Sequence, residues 1–402
     1  IYSRAQSMVL LGDGKMVLAG SGTVSGSERA ALARYSEEGL LDETFGTGGS
    51  VTTSAGSGET SARCVALLTD GGLLVGGTLQ GATSRFVALR YLPSGALDTA
   101  FGASGIRLAA FTGYEADARA LAVDANGLTL AGTLAGDVVS SIGLARLTLG
   151  GNLDNSFSGD GRQEINLQRG QPVSQARAVA CQPDGKVVIA GSVATEEGFD
   201  VAPLCRMPDG SADAGFGTAG RVILSLGPED DFVWKMLLQT DGRILVGGTT
   251  FDNGTEKAFV ARFNSDGTLD PGFGTGGVVK DQAGPADSGI YALALQPDGK
   301  IVGAGYAYNS GGTRFHFAAW RFTTAGALDT TFNSTGRHVS FVINNTNRDD
   351  FATAVAVQAD GKILTAGTAY TLADQSTANF GMIRFQASGA LDSGFGSGGK
   401  VN

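Results

Sequence analysis

The chain is predicted to be all-β and to fold as a seven-bladed β-propeller with four antiparallel strands per blade. Three observations point there. A turn glycine recurs at Gly14, Gly71, Gly127, Gly185, Gly242, Gly299 and Gly361, with spacings of 57, 56, 58, 57, 57 and 62 residues, so seven copies use the whole chain. Each copy breaks into four short β-rich runs separated by turn signals, and none carries a helical period. Neither end of the array is polar: "AQSMVLL" in copy one is as apolar as "TAVAVQ" in copy seven. A linear stack needs polar caps. A ring, in which the last copy packs on the first, needs none. A β-helix is the alternative fold, and the tight hairpin turns disfavour it.

Copy four illustrates the elements in order. Strand a is "ARAVACQ". Asp184-Gly185 then makes a tight turn, because Gly accepts positive φ without steric cost. Strand b is "KVVIAGSV", followed by a loop that varies between copies. Strand c is "FDVAPLCRM", followed by a Gly-rich phrase, and strand d is "RVILSL". In copy three Asn126-Gly127 serves the same a–b turn. A single such sheet would leave its apolar faces wet, so the copies must stack. Blades are expected at about 1–57, 58–114, 115–171, 172–228, 229–285, 286–347 and 348–402, forming one domain.

Three residue types recur through the c–d segment. The arginines are Arg34, Arg90, Arg146, Arg206, Arg262, Arg321 and Arg384. The aspartates are Asp42, Asp98, Asp154, Asp213, Asp270, Asp329 and Asp392. The phenylalanines are Phe45, Phe101, Phe157, Phe216, Phe273, Phe332 and Phe395. We read all three as structural. A bidentate Arg–carboxylate pair would tie the c–d connection to its sheet, and the Phe would plug the gap between blades.

Composition bounds the function. The net charge is −10 and no Lys/Arg cluster stands out along the sequence, which argues against a nucleic-acid partner. No apolar run approaches the roughly 18–20 residues needed to span a bilayer. Ile1 is not preceded by Met or a signal-like segment, so a removed leader or a module of a longer chain is expected. Cys64, Cys181 and Cys205 are too few for a disulfide framework and are expected to be buried free thiols. His316 and His338 are the only histidines, which leaves little material for zinc or acid–base constellations.

The repeated phrases DGK–apolar–AG, A-R-[YF] and G-x-LD-x-x-FG-x-x-G resemble those of the bacterial delta-60-repeat β-propeller family across the whole chain. The resemblance implies a propeller from secreted or surface-exposed bacterial proteins, often one module of a larger chain. It implies no settled activity and carries over no catalytic residues.

Strand alternation puts the a–b turns and c–d connections on one face and the b–c and d–a loops on the other. The second set varies, and loops that vary on a fixed scaffold are where binding usually resides. Acidic residues recur where the chain enters strand a, at Glu59, Glu115, Asp230, Asp287 and Asp349. They form either a solubilising rim or a cation site at the channel mouth, with Ca²⁺ the one cofactor considered. Aromatic and amide residues gather on the b–c segments of copies five to seven, at Phe251, Asn253, Tyr306, Tyr308, Asn309 and Tyr370. Aromatic faces beside amides suit a sugar or a peptide. The Asn264–Asp270 stretch lacks the spacing and terminal Glu of an EF-hand and is a turn. Phe157–Arg162 is likewise a local turn variant rather than a phosphate loop.

The leading expectation is therefore a non-catalytic, extracellular or cell-surface module binding a protein or carbohydrate through the b–c/d–a face. A propeller hydrolase or lyase is a second reading. It would require a polar cluster replacing core residues, whereas the departures from the repeat look like loop lengths. A structural spacer within a larger surface chain is a third.

Overall fold

A computed structural model describes residues 3–167, 173–308, 311, 314–342, 348–370 and 378–402. It is a closed ring of seven sheets, and no helix occurs among the described residues. Six sheets have four antiparallel strands in simple sequence order, over 3–53, 59–109, 115–165, 231–281, 288–340 and 350–401. In the first blade the strands are Ser3–Leu10, Met16–Val24, Ser27–Tyr35 and Ser50–Thr53. Strand a of every blade lines the central lumen. Seven apolar clusters hold the ring, each shared by two neighbouring blades.

The fourth blade departs from the expectation of a regular outer strand. Its ladder has three strands, and the outer segment is held by the bridges Val201↔Leu224 and Leu204↔Arg221. Pro203 in strand c is the reason. Val222 donates to the Pro203 carbonyl at 2.9 Å, but proline has no N–H to return the bond.

The c–d segment acts as a clamp between blades. Nε of Arg34, Arg90, Arg262, Arg321 and Arg384 lies 2.7–3.0 Å from Oδ2 of Asp42, Asp98, Asp270, Asp329 and Asp392. The pairing is not the expected bidentate fork. Nη1 instead donates to a carbonyl of the next blade: Pro93, Leu149, Thr324, Ala387 and Glu37 respectively. In four of these blades the guanidinium also lies over its own Phe, 4.6–5.0 Å from the ring centroid.

Two blades break the arginine pattern. Arg146 is drawn to Asp124 at 2.7 Å, leaving its Nε 4.0 Å from Asp154. In the fourth blade the sequence register is off by one. Cys205 pairs with Val188 as Arg34 pairs with Val17, and Asp213 N donates to the Cys205 carbonyl as Asp42 N does to Arg34. Arg206 therefore occupies the slot of Tyr35, its Nε has no hydrogen-bond partner, and Lys186 takes Asp213 at 3.0 Å.

Each repeated Phe ring rests on a positive-φ glycine in the c–d connection of the next blade. A Cβ on Gly95 would meet Phe45 at 3.0 Å, and one on Gly39 would meet Phe395 at 2.7 Å. The second contact lies across the junction of the last blade with the first. There Thr353 Oγ1 also donates to the Ala5 carbonyl at 2.7 Å, and Gly396 N to the Glu38 carbonyl at 3.0 Å. Among the described residues no strand is exchanged across this junction: each sheet is built from one continuous segment.

Candidate functional site

Every strand a carries a β-bulge, a register slip that leaves one residue extra against strand b. A bulge re-aims side chains. Here the extra residues are Gln6, Arg63, Arg119, Arg177, Trp234, Tyr291 and Thr353, and all seven line a central cavity of about 430 Å³. Each precedes its turn glycine by eight positions. This column departs from the repeat in side-chain chemistry, which corrects the reading that departures lie mainly in loop lengths.

The charged residues lining the cavity are Arg63, Arg119, Arg177 and Lys235, all basic. One carboxylate, Asp117, stands beside them. Its Oδ2 takes Arg119 Nη2 at 2.5 Å and its Oδ1 takes Thr78 Oγ1 at 2.7 Å, while Arg63 Nε remains 3.8 Å away. Arg177 lies over the Trp234 ring at 4.6 Å and donates to Gln175 Oε1 at 2.9 Å. Desolvation pushes Arg177 down to about 10, and the neighbouring charges of Arg119 and Arg63 add to the drop against the pull of Asp117. Desolvation likewise lowers Arg119 and Lys235.

An aromatic row continues from the lumen onto the b–c/d–a face. Trp234 meets Tyr291 edge-on at 5.1 Å, Tyr291 meets Tyr306 at 4.9 Å, and Tyr306 meets Phe315 at 5.1 Å. Tyr308 lies on Phe315 at 4.3 Å, and Phe351 lies 5.4 Å from Phe315. On the other side Phe232 joins Trp234 to Phe199 and Phe251 at 5.1–6.5 Å. All but Tyr306 are half-exposed.

The predicted binding residues fare unevenly. Phe251, next to last in its b strand, and Tyr308 and Tyr370, last in theirs, are half-buried, and the first two belong to the row. Tyr306 is only 3% exposed and its hydroxyl donates to Glu256, so it supports the row rather than presenting a face. Asn253, with φ +53°, forms a hairpin turn with Gly254, and its amide donates to Asp252. A turn requiring two positive φ angles explains that residue without a ligand. Asn309 lies outside the described residues. The sequence reading missed Phe199, Phe232, Trp234, Tyr291, Phe315 and Phe351.

Four of the five acidic positions are engaged by backbone groups. Glu115, Asp230, Asp287 and Asp349 each accept a backbone N–H from the preceding blade: Ser84, Phe199, Glu256 and Phe315, at 2.5–3.0 Å. They clip one blade to the next. Glu59 is exposed at the start of its strand. Among the described residues no three His, Cys, Asp or Glu side chains converge on a common metal position. All three cysteines are free, but only Cys205 is buried. Cys64 and Cys181 are half-exposed, and Cys64 faces the lumen.

Fold and site together define a propeller with a basic lumen and an aromatic face. The chain belongs to the β-propeller family described as a domain of unknown function, DUF5122, whose model matches residues 11–45, 68–101, 182–216, 239–273, 296–332 and 358–395. No curated protein matches. Similar solved structures include Sqt1 of Chaetomium thermophilum bound to the N-terminus of ribosomal protein L10, at 12% identity and TM-score 0.49, covering 100% of this chain and 87% of that one. The propeller domain of the trilobed protease of Pyrococcus furiosus is 8% identical with TM-score 0.46, covering 96% and 95%. An endo-arabinanase of Bacillus licheniformis is 13% identical with TM-score 0.37, covering 65% and 94%.

Proposed function

We propose that this protein is a non-catalytic interaction module that binds a carbohydrate or a protein segment on its b–c/d–a face. The observation that carries this reading is the aromatic row from Phe251 and Phe199 through Trp234 and Tyr291 to Phe315 and Tyr308. Half-exposed rings in contact across four neighbouring blades offer a wide, stiff, amphipathic surface at little entropic cost, which suits stacking on sugars or gripping peptide side chains. The resemblance to delta-60-repeat propellers supports a bacterial surface or secreted setting for the module.

A glycan and peptide array, followed by titration of the hits, tests the reading. Trp234 is half-exposed in the row, whereas Trp320 is fully buried, so a ligand on this face should alter the emission of Trp234. Tyr308→Ala and Phe315→Ala should weaken a hit at least tenfold while melting near the parent. No hit and unchanged emission would favour the spacer reading. Turnover of a hit would favour a hydrolase or lyase.

A further inference from the structure

The lumen carries a feature that the loop-face reading does not require. Arg63, Arg119 and Arg177 come from three consecutive blades and occupy the same bulge position, so the fold aims all three at one stretch of channel. Lys235 adds a fourth positive charge in a chain whose net charge is −10. Asp117 answers at most part of that charge, and Nε of both Arg63 and Arg119 is buried without a hydrogen-bond partner. Like charges held together under-compensated cost stability, and a cavity of about 430 Å³ is within the usual range for a small-molecule site. The next two blades line the lumen with aromatic rings, Trp234 and Tyr291 edge to face, and Arg177 lies over the Trp234 ring.

We propose that the lumen is a binding site for an oxyanion carried on a ring, the oxyanion facing Arg63, Arg119 and Arg177 and the ring lying against Trp234 and Tyr291. Carboxylate, sulfate and phosphate share the required chemistry, since planar guanidinium groups donate paired hydrogen bonds to any of them. An acidic sugar meets both halves of the site.

The test uses the whole chain and reads melting temperature and calorimetric heat against sodium glucuronate, sodium sulfate, sodium phosphate and glucose, with sodium chloride at matched ionic strength as the reference. Glucuronate is expected to bind and to raise the melting temperature above the chloride reference, and glucose is not. Arg177→Gln and Lys235→Met are expected to raise the melting temperature of the unliganded protein, by relieving repulsion, and to weaken glucuronate at least tenfold. Tyr308→Ala should leave glucuronate binding intact, which separates this site from the loop-face surface. Glucuronate giving no more than chloride would overturn the proposal, as would an Arg177→Gln variant that binds like the parent. Sulfate or phosphate binding without glucuronate would overturn the ring-bearing assignment.

Discussion

Arg384 in the last blade donates from Nη1 to the carbonyl oxygen of Glu37 in the first, while its Nε holds Asp392 at 2.8 Å. One side chain thus ties the c–d turn of its own blade to the neighbour across the junction. Arg384 and Asp392 are 5% and 7% exposed. Arg384→Ala leaves a buried carboxylate without its guanidinium, which costs about 3–5 kcal/mol. Arg206→Ala should cost less than half as much, because Arg206 sits outside the clamp slot and pairs with no carboxylate. Urea denaturation of the two variants checks this, and equal losses would contradict the register shift in the fourth blade.

Gly95 combines φ +90° with a Phe45 ring that a Cβ would meet at 3.0 Å. Gly26 has φ +81° and open space around the same position. Backbone strain of about 1 kcal/mol or more applies to both on substitution by Ala. Only Gly95→Ala must also push a blade-plugging ring aside. Its loss in chemical denaturation should exceed that of Gly26→Ala by about 1–3 kcal/mol.

Asp231 is fully buried, and one of its carboxylate oxygens lacks a partner. Burial, with the nearby Asp200 charge adding to it, raises its pKa to about 6. The folded state therefore holds a proton that the unfolded chain, with a carboxyl near 3.9, releases earlier. The contribution to stability is complete below about pH 4 and is lost as pH rises through 6. Asp231→Ser, which writes the residue found at Ser3, Ser174 and Ser288, should leave melting unchanged at pH 4. At pH 8 it should stabilise by on the order of 1–3 kcal/mol.

Desolvation raises the Cys64 and Cys205 thiols to about 12 and the Cys181 thiol to about 11. The thiolate is the reactive form. In the native protein all three should resist iodoacetamide at pH 7.5, even Cys64 with its access to lumen water. Labelling should appear once urea unfolds the ring.

Ring and blade number were legible because the turn glycines and the Arg–Asp–Phe phrase are written into nearly every copy. The clamp in the fourth blade was not, since Arg206 and the shortened turn to Asp213 preserve the letters while shifting the pairing by one residue. Asp230 and Asp287 stood out as repeated acids, but only coordinates reveal that each is spent on a backbone N–H next door. The lumen site was readable in principle. Residues eight before each turn glycine run Gln, Arg, Arg, Arg, Trp, Tyr, Thr. Their meaning depends on a bulge, and a bulge is a one-residue slip that alternation alone does not reveal. Phe315 and Phe351 escaped notice for a different reason: Phe315 stands opposite Tyr308 across the b–c hairpin and Phe351 comes from the next blade, so their contacts with Tyr306 depend on strand pairing and blade packing.

With no strand exchanged among the described residues, the last blade meets the first as other consecutive blades meet, through an Arg–carbonyl bond and a Phe ring on a glycine. Nothing in the architecture marks an origin. Joining the present termini by a short linker and opening the chain instead within the d–a connection near Pro285 should give a circular permutant that refolds to the same circle. Its melting temperature should lie within a few degrees of the parent, whereas a permutant opened inside a sheet, between Gly299 and Ile301, should lose an intact hairpin and fall well below it.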